Sequence, residues 1–293
     1  MPSAPASLLA ERVVIILVGP QHPGNVGAAA RAMKNMGLRR LVIASPPPSF
    51  DPERARWMAP GAADILASAR IVPDLDAALE GVHRAVATTA RHRGDGQPVH
   101  EPATLAAQVF DADDDHVTAV LFGREDTGLT REEVQRCESL LRIPTDHHAS
   151  LNLGQAVLLV AHHFFEAARA EGLRAEGRLV GGRKQARTTR TLQRTGADAR
   201  IADVSELEPA VVESVALLNR VGYTKSTSPE RVAVTVREAL QRASIRRKQL
   251  RAFRGMLARI DFALDHPEIN WRASKRQQAL KDAVPPLDDD PSP

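Results

Sequence analysis

Asn25 and Arg31 are the first residues along the chain whose types and spacing could serve chemistry. They lie in a glycine-rich segment after the apolar run Val13–Val18, and such a strand-to-helix turn brings backbone amides close to an anion. Asn25 can cap the helix, and Arg31 lies one turn beyond Gly27, where small side chains leave room for a ligand. An ordinary capped helix with a solvated arginine explains the same pattern, and this segment alone favours that simpler interpretation.

The glycine-rich segment does not match two common nucleotide-binding motifs. Asn25 stands where a P-loop has a lysine after its second glycine. The G-x-G-x-x-G spacing is absent, and no acidic residue ends the strand that we predict at Leu41–Ala44. A P-loop protein is therefore excluded, and a nicotinamide-dependent enzyme is disfavoured.

Two later segments end apolar runs with small or polar residues. Thr88, Thr89 and Ala90 close one run, and ligands of open α/β sheets bind at the carboxyl ends of strands. After the next run, Gly123 permits close backbone approach to a flat ligand, and Glu125 can accept hydrogen bonds. An ordinary turn and a solvated charge cluster explain the same residues.

A fourth segment runs from Ile143 into an apolar helix that reaches Phe165. Ser150 is a natural N-cap for that helix, a role that needs no function. Asn152, near the same helix start, is the more informative residue.

The elements that would position these residues alternate between short apolar runs and helix-like stretches, which predicts an α/β domain with a mostly parallel sheet. The predicted strands are Val13–Val18, Leu41–Ala44, Ala85–Thr88, Thr118–Phe122 and Leu141–Ile143. The predicted helices are Val26–Met36 with Gly37 as its C′ residue, Asp76–Leu79, and Glu132–Leu140 with a capping box at Thr130.

The composition changes near Arg169. Residues 169–200 hold nine basic and three acidic residues with little apolar periodicity, so we predict a basic linker over 169–205 after a catalytic domain at 1–168. Apolar spacing of three and four predicts a small helical extension at 206–264, and the Asp- and Pro-rich tail at 265–293 is predicted to be partly disordered.

Composition excludes several classes of protein. The chain has 293 residues, a formal net charge of +3 and 43% hydrophobic residues, enough to bury large cores. The single cysteine, Cys137, excludes a disulfide framework and a cysteine-based zinc site, and it fits a reducing compartment. No apolar run is long enough for a membrane span, and no export signal is evident. We therefore expect a cytoplasmic protein with no membrane association.

Taken together, the four segments resemble the SPOUT superfamily of RNA methyltransferases, in its TrmH-like branch of 2′-O-ribose methyltransferases, and within it the TrmJ-like enzymes. Three motifs in the family's order carry the resemblance: Gly24-Asn25-Val26-Gly27 through Arg31 with Lys34-Asn35-Met36-Gly37, then Phe122-Gly123-Arg124-Glu125 with Gly128-Leu129, then Ser150-Leu151-Asn152-Leu153. The stretch from Leu250 to Ile260 is similar to the helical extension of TrmJ-like enzymes.

The resemblance implies a parallel sheet with a deep trefoil knot near its C-terminal end, an exception to the usual rules of topology. It implies S-adenosylmethionine as the cofactor, bound within the knot. The implied cofactor-pocket residues are Thr88, Thr89, Ala90, Gly123, Ile143, Ser150 and Leu151. It also implies an obligate homodimer with a composite active site, in which Arg31 faces a cofactor bound mainly by the other chain.

In the implied reaction, a ribose 2′-oxygen attacks the sulfonium methyl group and S-adenosylhomocysteine leaves. Alignment and removal of a hydroxyl proton are the main requirements, and no metal is needed. Arg31 is the family's catalytic arginine, and since a guanidinium is a poor proton acceptor we assign it to holding phosphate or polarising the 2′-oxygen. Asn25, Glu125 and Asn152 would orient Arg31 and the substrate, with Ser150 beside them, and a purely structural role for Glu125 stays open.

RNA is the expected partner, and tRNA, in its anticodon loop, is the expected substrate. Residues 237–259 hold eight basic residues against one acidic, which favours phosphate contacts, although a solvated helix face explains them too. An rRNA 2′-O-methyltransferase, a base methyltransferase and a non-catalytic RNA-binding protein remain alternatives. A metal hydrolase is disfavoured because His147-His148 and His162-His163 lack the spacing of helical ligands.

Overall fold

A computed structural model describes residues 9–90, 97–111, 116–147, 149–175, 200–225 and 227–266. The chain divides into two compact units, residues 1–190 with 203–205 and residues 191–202 with 206–293. Among the described helices, none is long and apolar enough to cross a membrane.

A seven-stranded sheet forms the centre of the first unit, and every pair of neighbouring strands is parallel. The strands are β1 (Val13–Val18), β2 (Arg40–Ala44), β3 (Arg70–Val72), β4 (Arg84–Thr88), β5 (Val99–His100), β6 (Thr118–Phe122) and β7 (Ser139–Leu141). Their order across the sheet is β3-β2-β1-β6-β4-β7-β5. The predicted α/β class with a parallel sheet is confirmed.

Helices cover both faces of this sheet. They are α1 (Pro23–Asn35), α2 (Pro52–Trp57), α3 (Ala63–Ala67), α4 (Leu75–Ala78), α5 (Pro102–Asp111), α6 (Arg131–Gln135) and α7 (Leu153–Ala175). Strand β1 is consequently buried on both faces: Ile15 and Leu17 belong to one buried cluster, and Ile16 and Val18 belong to another. A strand buried on both faces needs apolar side chains at every position, which explains its continuous apolar run.

The start of α1 differs from the prediction. Asn25 is not the N-cap, because the helix begins at Pro23 and His22 occupies the cap position. Proline is favoured in the first turn, since its fixed φ suits a helix and its missing N–H leaves no donor unpaired. The predicted C′ residue is confirmed, as Gly37 follows the helix with φ of +76°.

Two further boundaries were predicted wrongly. Ser150 does not cap α7, which begins at Leu153 and receives its cap from Asn152. The helix predicted to reach residue 140 ends at Gln135, after the confirmed Thr130 capping box. Ser139–Leu141 instead forms β7, fully buried between β4 and β5, so burial between two strands outweighed the helical pattern.

Described helices extend into both ends of the linker predicted at 169–205. Helix α7 continues to Ala175, past the predicted domain end at 168, and the next helix already begins at Val204. Residues 176–199 of the predicted linker and residues 267–293 of the predicted tail lie outside the described residues.

In the part of the second unit that the structure describes, three α-helices surround a small apolar cluster that includes Leu207, Leu240 and Leu250. The helices are α8 (Val204–Arg220), α9 (Pro229–Arg242) and α10 (Arg247–Asp265).

Ion pairs join α8 to α10 at a regular spacing. Glu206 pairs with Arg247 at 2.7 Å, Glu213 with Arg254 at 2.6 Å, and Arg220 with Asp261. Each step is seven residues on both helices, so α8 and α10 run side by side in the same direction, as in a parallel coiled coil.

Candidate active site

A cavity of about 350 Å³ opens at the carboxyl ends of β4, β6 and β7, which is where open α/β sheets bind ligands. All seven residues predicted for the cofactor pocket line it: Thr88, Thr89, Ala90, Gly123, Ile143, Ser150 and Leu151. Residues from three separate segments of the chain therefore meet at one site.

The wall formed after β6 depends on a close backbone approach. A Cβ atom on Gly123 would lie 2.2 Å from the carbonyl carbon of Gly128 and 2.2 Å from the nitrogen of Leu129, so no side chain fits there. Arg124 and Gly128 exchange backbone hydrogen bonds of 3.2 and 2.9 Å, which closes the loop on itself. On the neighbouring strand, the Thr88 hydroxyl donates to the Leu121 carbonyl at 2.7 Å.

Glu125 connects this cavity to the first motif. Its Oε1 accepts from Asn25 Nδ2 at 2.8 Å and from the His22 backbone nitrogen at 3.2 Å, while Oε2 accepts from the Gln21 nitrogen at 2.9 Å. Asn152 Nδ2 donates to Asn25 Oδ1 at 3.0 Å. Three residues predicted as catalytic, from three separate motifs, thus form one hydrogen-bonded chain.

Opposing effects act on the pKa of Glu125. Partial burial raises the pKa of this carboxyl, but the hydrogen bonds from Asn25, Gln21 and His22 outweigh burial and hold the pKa below its ordinary value. Glu125 is therefore an ionised acceptor at neutral pH, suited to fixing the start of α1 and unsuited to donating a proton.

An ion pair between Arg124 and Glu133 also stabilises the loop after β6. Arg124 donates to both carboxylate oxygens of Glu133 at 3.1 Å, and Glu133 also accepts from the Thr130 backbone nitrogen at 2.8 Å. The Arg124 side chain lies against Gly19, where a Cβ atom would come within 2.8 Å of Nε. This pair was not predicted as part of the site, although Arg124 belongs to the second family motif and Glu133 to the Thr130 capping box.

Arg31 is set apart from the other predicted site residues. It is exposed on α1, and within the described part of the chain it neither lines the cavity nor makes a hydrogen bond or ion pair. The expected contact between Arg31 and Asn25, Glu125 or Asn152 is therefore not made within one chain. Among the described residues, no group of three or more His, Cys, Asp or Glu side chains could hold a metal ion.

Comparison with known families decides the class of this chain. The model of the SpoU rRNA methylase family matches residues 12–162, more than half of the chain and a span that includes every predicted site residue. The chain belongs to the SpoU methylase family. Its motif residues therefore lie within the methylase region, with the helical unit beyond it.

Similar proteins extend this match beyond the SpoU methylase region. A Pseudomonas aeruginosa relative is 34% identical over 84% of this chain and 93% of its own length, and is named tRNA (cytidine/uridine/adenosine-2′-O-)-methyltransferase TrmJ. A Photorhabdus laumondii relative, named tRNA (cytidine/uridine-2′-O-)-methyltransferase TrmJ, is 34% identical over 86% of this chain and 97% of its own.

A solved structure agrees with these relatives. TrmJ from Z. mobilis ZM4 is 28% identical with a TM-score of 0.65, covering 85% of this chain and 98% of that one. The resemblance of this SpoU-family chain to TrmJ-like methyltransferases is confirmed.

Proposed function

We propose that this protein transfers a methyl group from S-adenosylmethionine to a ribose 2′-hydroxyl of tRNA. The observation that carries the proposal is that the second and third family motifs line one cavity, and that Glu125, which lines it, also holds Asn25 of the first motif. Relatives named as tRNA 2′-O-methyltransferases match most of the chain and supply the substrate class. The site would lie in the anticodon loop, and the protein would act in the cytoplasm.

The lining of the cavity suits S-adenosylmethionine. Ile143 and Leu151 provide apolar walls for a flat ring, and Gly123 lets the loop after β6 close tightly on its own backbone beside them. Glu125 and Asp126 place carboxylates at the cavity, which favours a ligand that carries a positive charge. The bound cofactor would supply an activated methyl group on its sulfonium sulfur.

The residues of this chain would mainly align the reactants. Methyl transfer forms a bond from the 2′-oxygen to the methyl carbon and breaks the carbon–sulfur bond, and the hydroxyl proton passes to water or a nearby base. Arg31 would hold an RNA phosphate or polarise the 2′-oxygen, since a guanidinium stays protonated. Asn25, Glu125 and Asn152 would fix the segment that carries Arg31.

A homodimer with a composite site would bring Arg31 to the chemistry. Within one described chain, Arg31 is exposed and lies outside the cavity lining, as expected if it completes the partner's site. Helix α7 presents Leu158 and Leu159 at 38% and 42% exposure, an apolar surface that a second copy could cover. The finer fold would include the trefoil knot, with residues after β7 passing through it.

The helical unit at 206–264 would serve as an RNA-binding extension joined by the basic linker at 169–205. Several of the eight basic residues at 237–259 form ion pairs with glutamates, among them Arg237, Arg242, Arg247 and Arg254. Lys248 and Arg259 are exposed and outside these pairs, so they are the stronger candidates for phosphate contacts.

The decisive experiment incubates purified protein with methyl-labelled S-adenosylmethionine and unmodified tRNA or rRNA. Mass spectrometry of the digested RNA then identifies the labelled nucleoside. A 2′-O-methylated nucleoside from tRNA is the expected product. Label confined to rRNA would indicate an rRNA 2′-O-methyltransferase. A methylated base would indicate a base methyltransferase, and RNA binding without transfer would indicate a binding protein.

Variants of Arg31 test its role and the composite site. Arg31→Ala should lower kcat by about 100-fold or more, whereas Arg169→Ala, an exposed arginine on α7, should leave it unchanged. Arg31→Lys with full activity would contradict bidentate recognition. When Arg31→Ala and Gly123→Ala subunits are mixed in equal amounts, half of the dimers contain one subunit of each kind. In such a dimer one of the two composite sites has both an intact cavity and an intact Arg31, so the mixture should recover about a quarter of wild-type activity.

A further inference from the structure

Trp57 and Met58 form an exposed apolar pair at the end of α2. Trp57 is 79% exposed and Met58 is 50% exposed, although large apolar side chains are normally covered. Asp51 fixes the start of this short helix, since its side chain accepts from the backbone nitrogens of Glu53 and Arg54. The pair is therefore held by a capped helix.

Met58 lies against the glycine face of α1. A Cβ atom on Gly24 would lie 2.9 Å from the Met58 methyl carbon. A Cβ atom on Gly27 would lie 2.9 Å from both the carbonyl carbon and the oxygen of Met58, so glycine at both positions allows this approach. Gly24 directly precedes Asn25, so Met58, and with it the end of α2, lies beside the segment that the Glu125 hydrogen bonds fix.

Positive charge flanks the same surface. Arg31 lies seven residues after Gly24 and four after Gly27, hence on the same side of α1, and it is exposed. Arg54 is exposed and lies three residues before Trp57, hence on the same side of α2. An exposed indole with exposed arginines on the two helices that meet here fits a nucleobase attached to phosphates.

We propose that Trp57 and Met58 are a binding face for a nucleobase of the RNA substrate, next to Asn25 and Arg31. This inference rests on the proposed function, because it assumes that RNA enters at this side of α1. The indole stacks on the base and the Met58 thioether packs at its edge, while Arg31 and Arg54 contact neighbouring phosphates. Since every base has a flat face, this surface contributes to RNA affinity and not to the choice of base.

Kinetics with Trp57→Ala and Trp57→Phe test this assignment. Trp57→Ala should lower kcat/KM for unmodified tRNA by about 5- to 20-fold, mainly through KM, while the Kd for S-adenosylmethionine stays unchanged. Trp57→Phe keeps an aromatic face and should stay within about threefold of wild type. Ile71→Ala, which truncates a residue 48% exposed on edge strand β3, is the matched control and should have no effect. Wild-type kcat/KM in Trp57→Ala overturns the inference.

Fluorescence provides a measurement that does not depend on methyl transfer. The chain has two tryptophans, Trp57 and Trp271, so in a Trp271→Phe variant Trp57 is the sole tryptophan emitter. Titration with tRNA should quench this emission, and absence of quenching under conditions where tRNA binds overturns the inference. If wild type transfers no methyl group, the proposed function fails while this titration still decides the role of Trp57. Analytical ultracentrifugation of Trp57→Ala provides a further check. If this variant no longer dimerises but binds tRNA as tightly as wild type, the surface contacts a second copy of the chain, and the inference is overturned.

Discussion

Asn152 ties the start of α7 to the first turn of α1 through Asn25. Its Oδ1 accepts from the Gly154 backbone nitrogen at 2.9 Å, while its Nδ2 donates to Asn25 Oδ1 at 3.0 Å. The two helices are close enough that a Cβ atom on Gly154 would lie 2.7 Å from the Ala28 Cβ. One amide side chain therefore caps a helix and joins two motifs, and the two roles can be separated by substitution.

Substitution of Asn152 by Asp should remove the hydrogen bond to Asn25 and keep the one that caps α7. The carboxylate still accepts from Gly154 but cannot donate to Asn25, so we expect a change in unfolding free energy below about 1 kcal/mol. Asn152→Ala loses both hydrogen bonds and should cost about 1–2 kcal/mol. Urea unfolding measures both changes. In the methyl-transfer assay, Asn152→Asp should reduce kcat/KM at least about tenfold. A wild-type kcat/KM in that variant would show that Asn152 does not position the reactants.

The stabilising effect of Glu125 should depend on pH. Because its pKa is held below the ordinary value in the folded protein, its contribution is present above the unfolded pKa of about 4.3 and is lost as pH falls through the folded pKa. Glu125→Gln should therefore cost about 1–2 kcal/mol at pH 7, and the difference should shrink below about pH 4.

Unfolding curves of the wild type and Glu125→Gln at several pH values provide this measurement. Glu101→Gln, at an exposed glutamate just before α5, is the control and should show a small difference at every pH. A cost of Glu125→Gln that stays constant from pH 7 to pH 3 would show that the carboxylate charge is not what stabilises the start of α1.

How far the sequence predicts this fold depends on burial. Strands β1 and β6 have the predicted bounds, because all their residues are buried and each reads as a continuous apolar run. Strands β3 and β5 at the two edges of the sheet were missed, since exposed positions such as Ile71 and Val99 leave no such run. Local patterns therefore predict the centre of the sheet better than its edges.

Many residues of the candidate site could be predicted from the sequence, but their contacts could not. Motifs were sufficient to name seven of the residues that line the cavity and to group Asn25 with Glu125 and Asn152. Their hydrogen bonds join positions 100 and 127 residues apart, so they depend on packing that no local pattern encodes. The isolation of Arg31 and the exposure of Trp57 likewise emerge only when α1, α2 and the sheet are assembled.

Gly123 should tolerate alanine much less well than Gly128. A Cβ atom on Gly123 would lie 2.2 Å from backbone atoms, so Gly123→Ala must displace the loop and should cost about 3 kcal/mol or more. Gly128 has φ of +73° but nothing within 4 Å of an added Cβ, so Gly128→Ala should cost only about 1–2 kcal/mol of backbone strain.

Thermal unfolding and calorimetric titration with S-adenosylmethionine separate these two variants. We expect Gly123→Ala to weaken cofactor binding at least about tenfold and Gly128→Ala to bind nearly as well as wild type. Equal losses in both variants would indicate that loop conformation, and not the close backbone contact at Gly123, shapes the cavity.

Basic residues of the second unit should differ in their effect on RNA binding according to their ion pairs. Arg254 pairs with Glu213 on α8, so Arg254→Ala should loosen the contact between α8 and α10 by about 1 kcal/mol or less, because the pair is about one-third exposed. Lys248 and Arg259 are exposed outside these pairs, and each would release a counterion on contacting a phosphate. Binding of tRNA measured across salt concentrations should show a log–log slope reduced by about 0.7–0.9 in Lys248→Ala or Arg259→Ala and unchanged in Arg254→Ala. If Arg254→Ala alone lowers the slope, phosphate competes with Glu213 for this arginine, and the ion pairs between α8 and α10 must open when RNA binds.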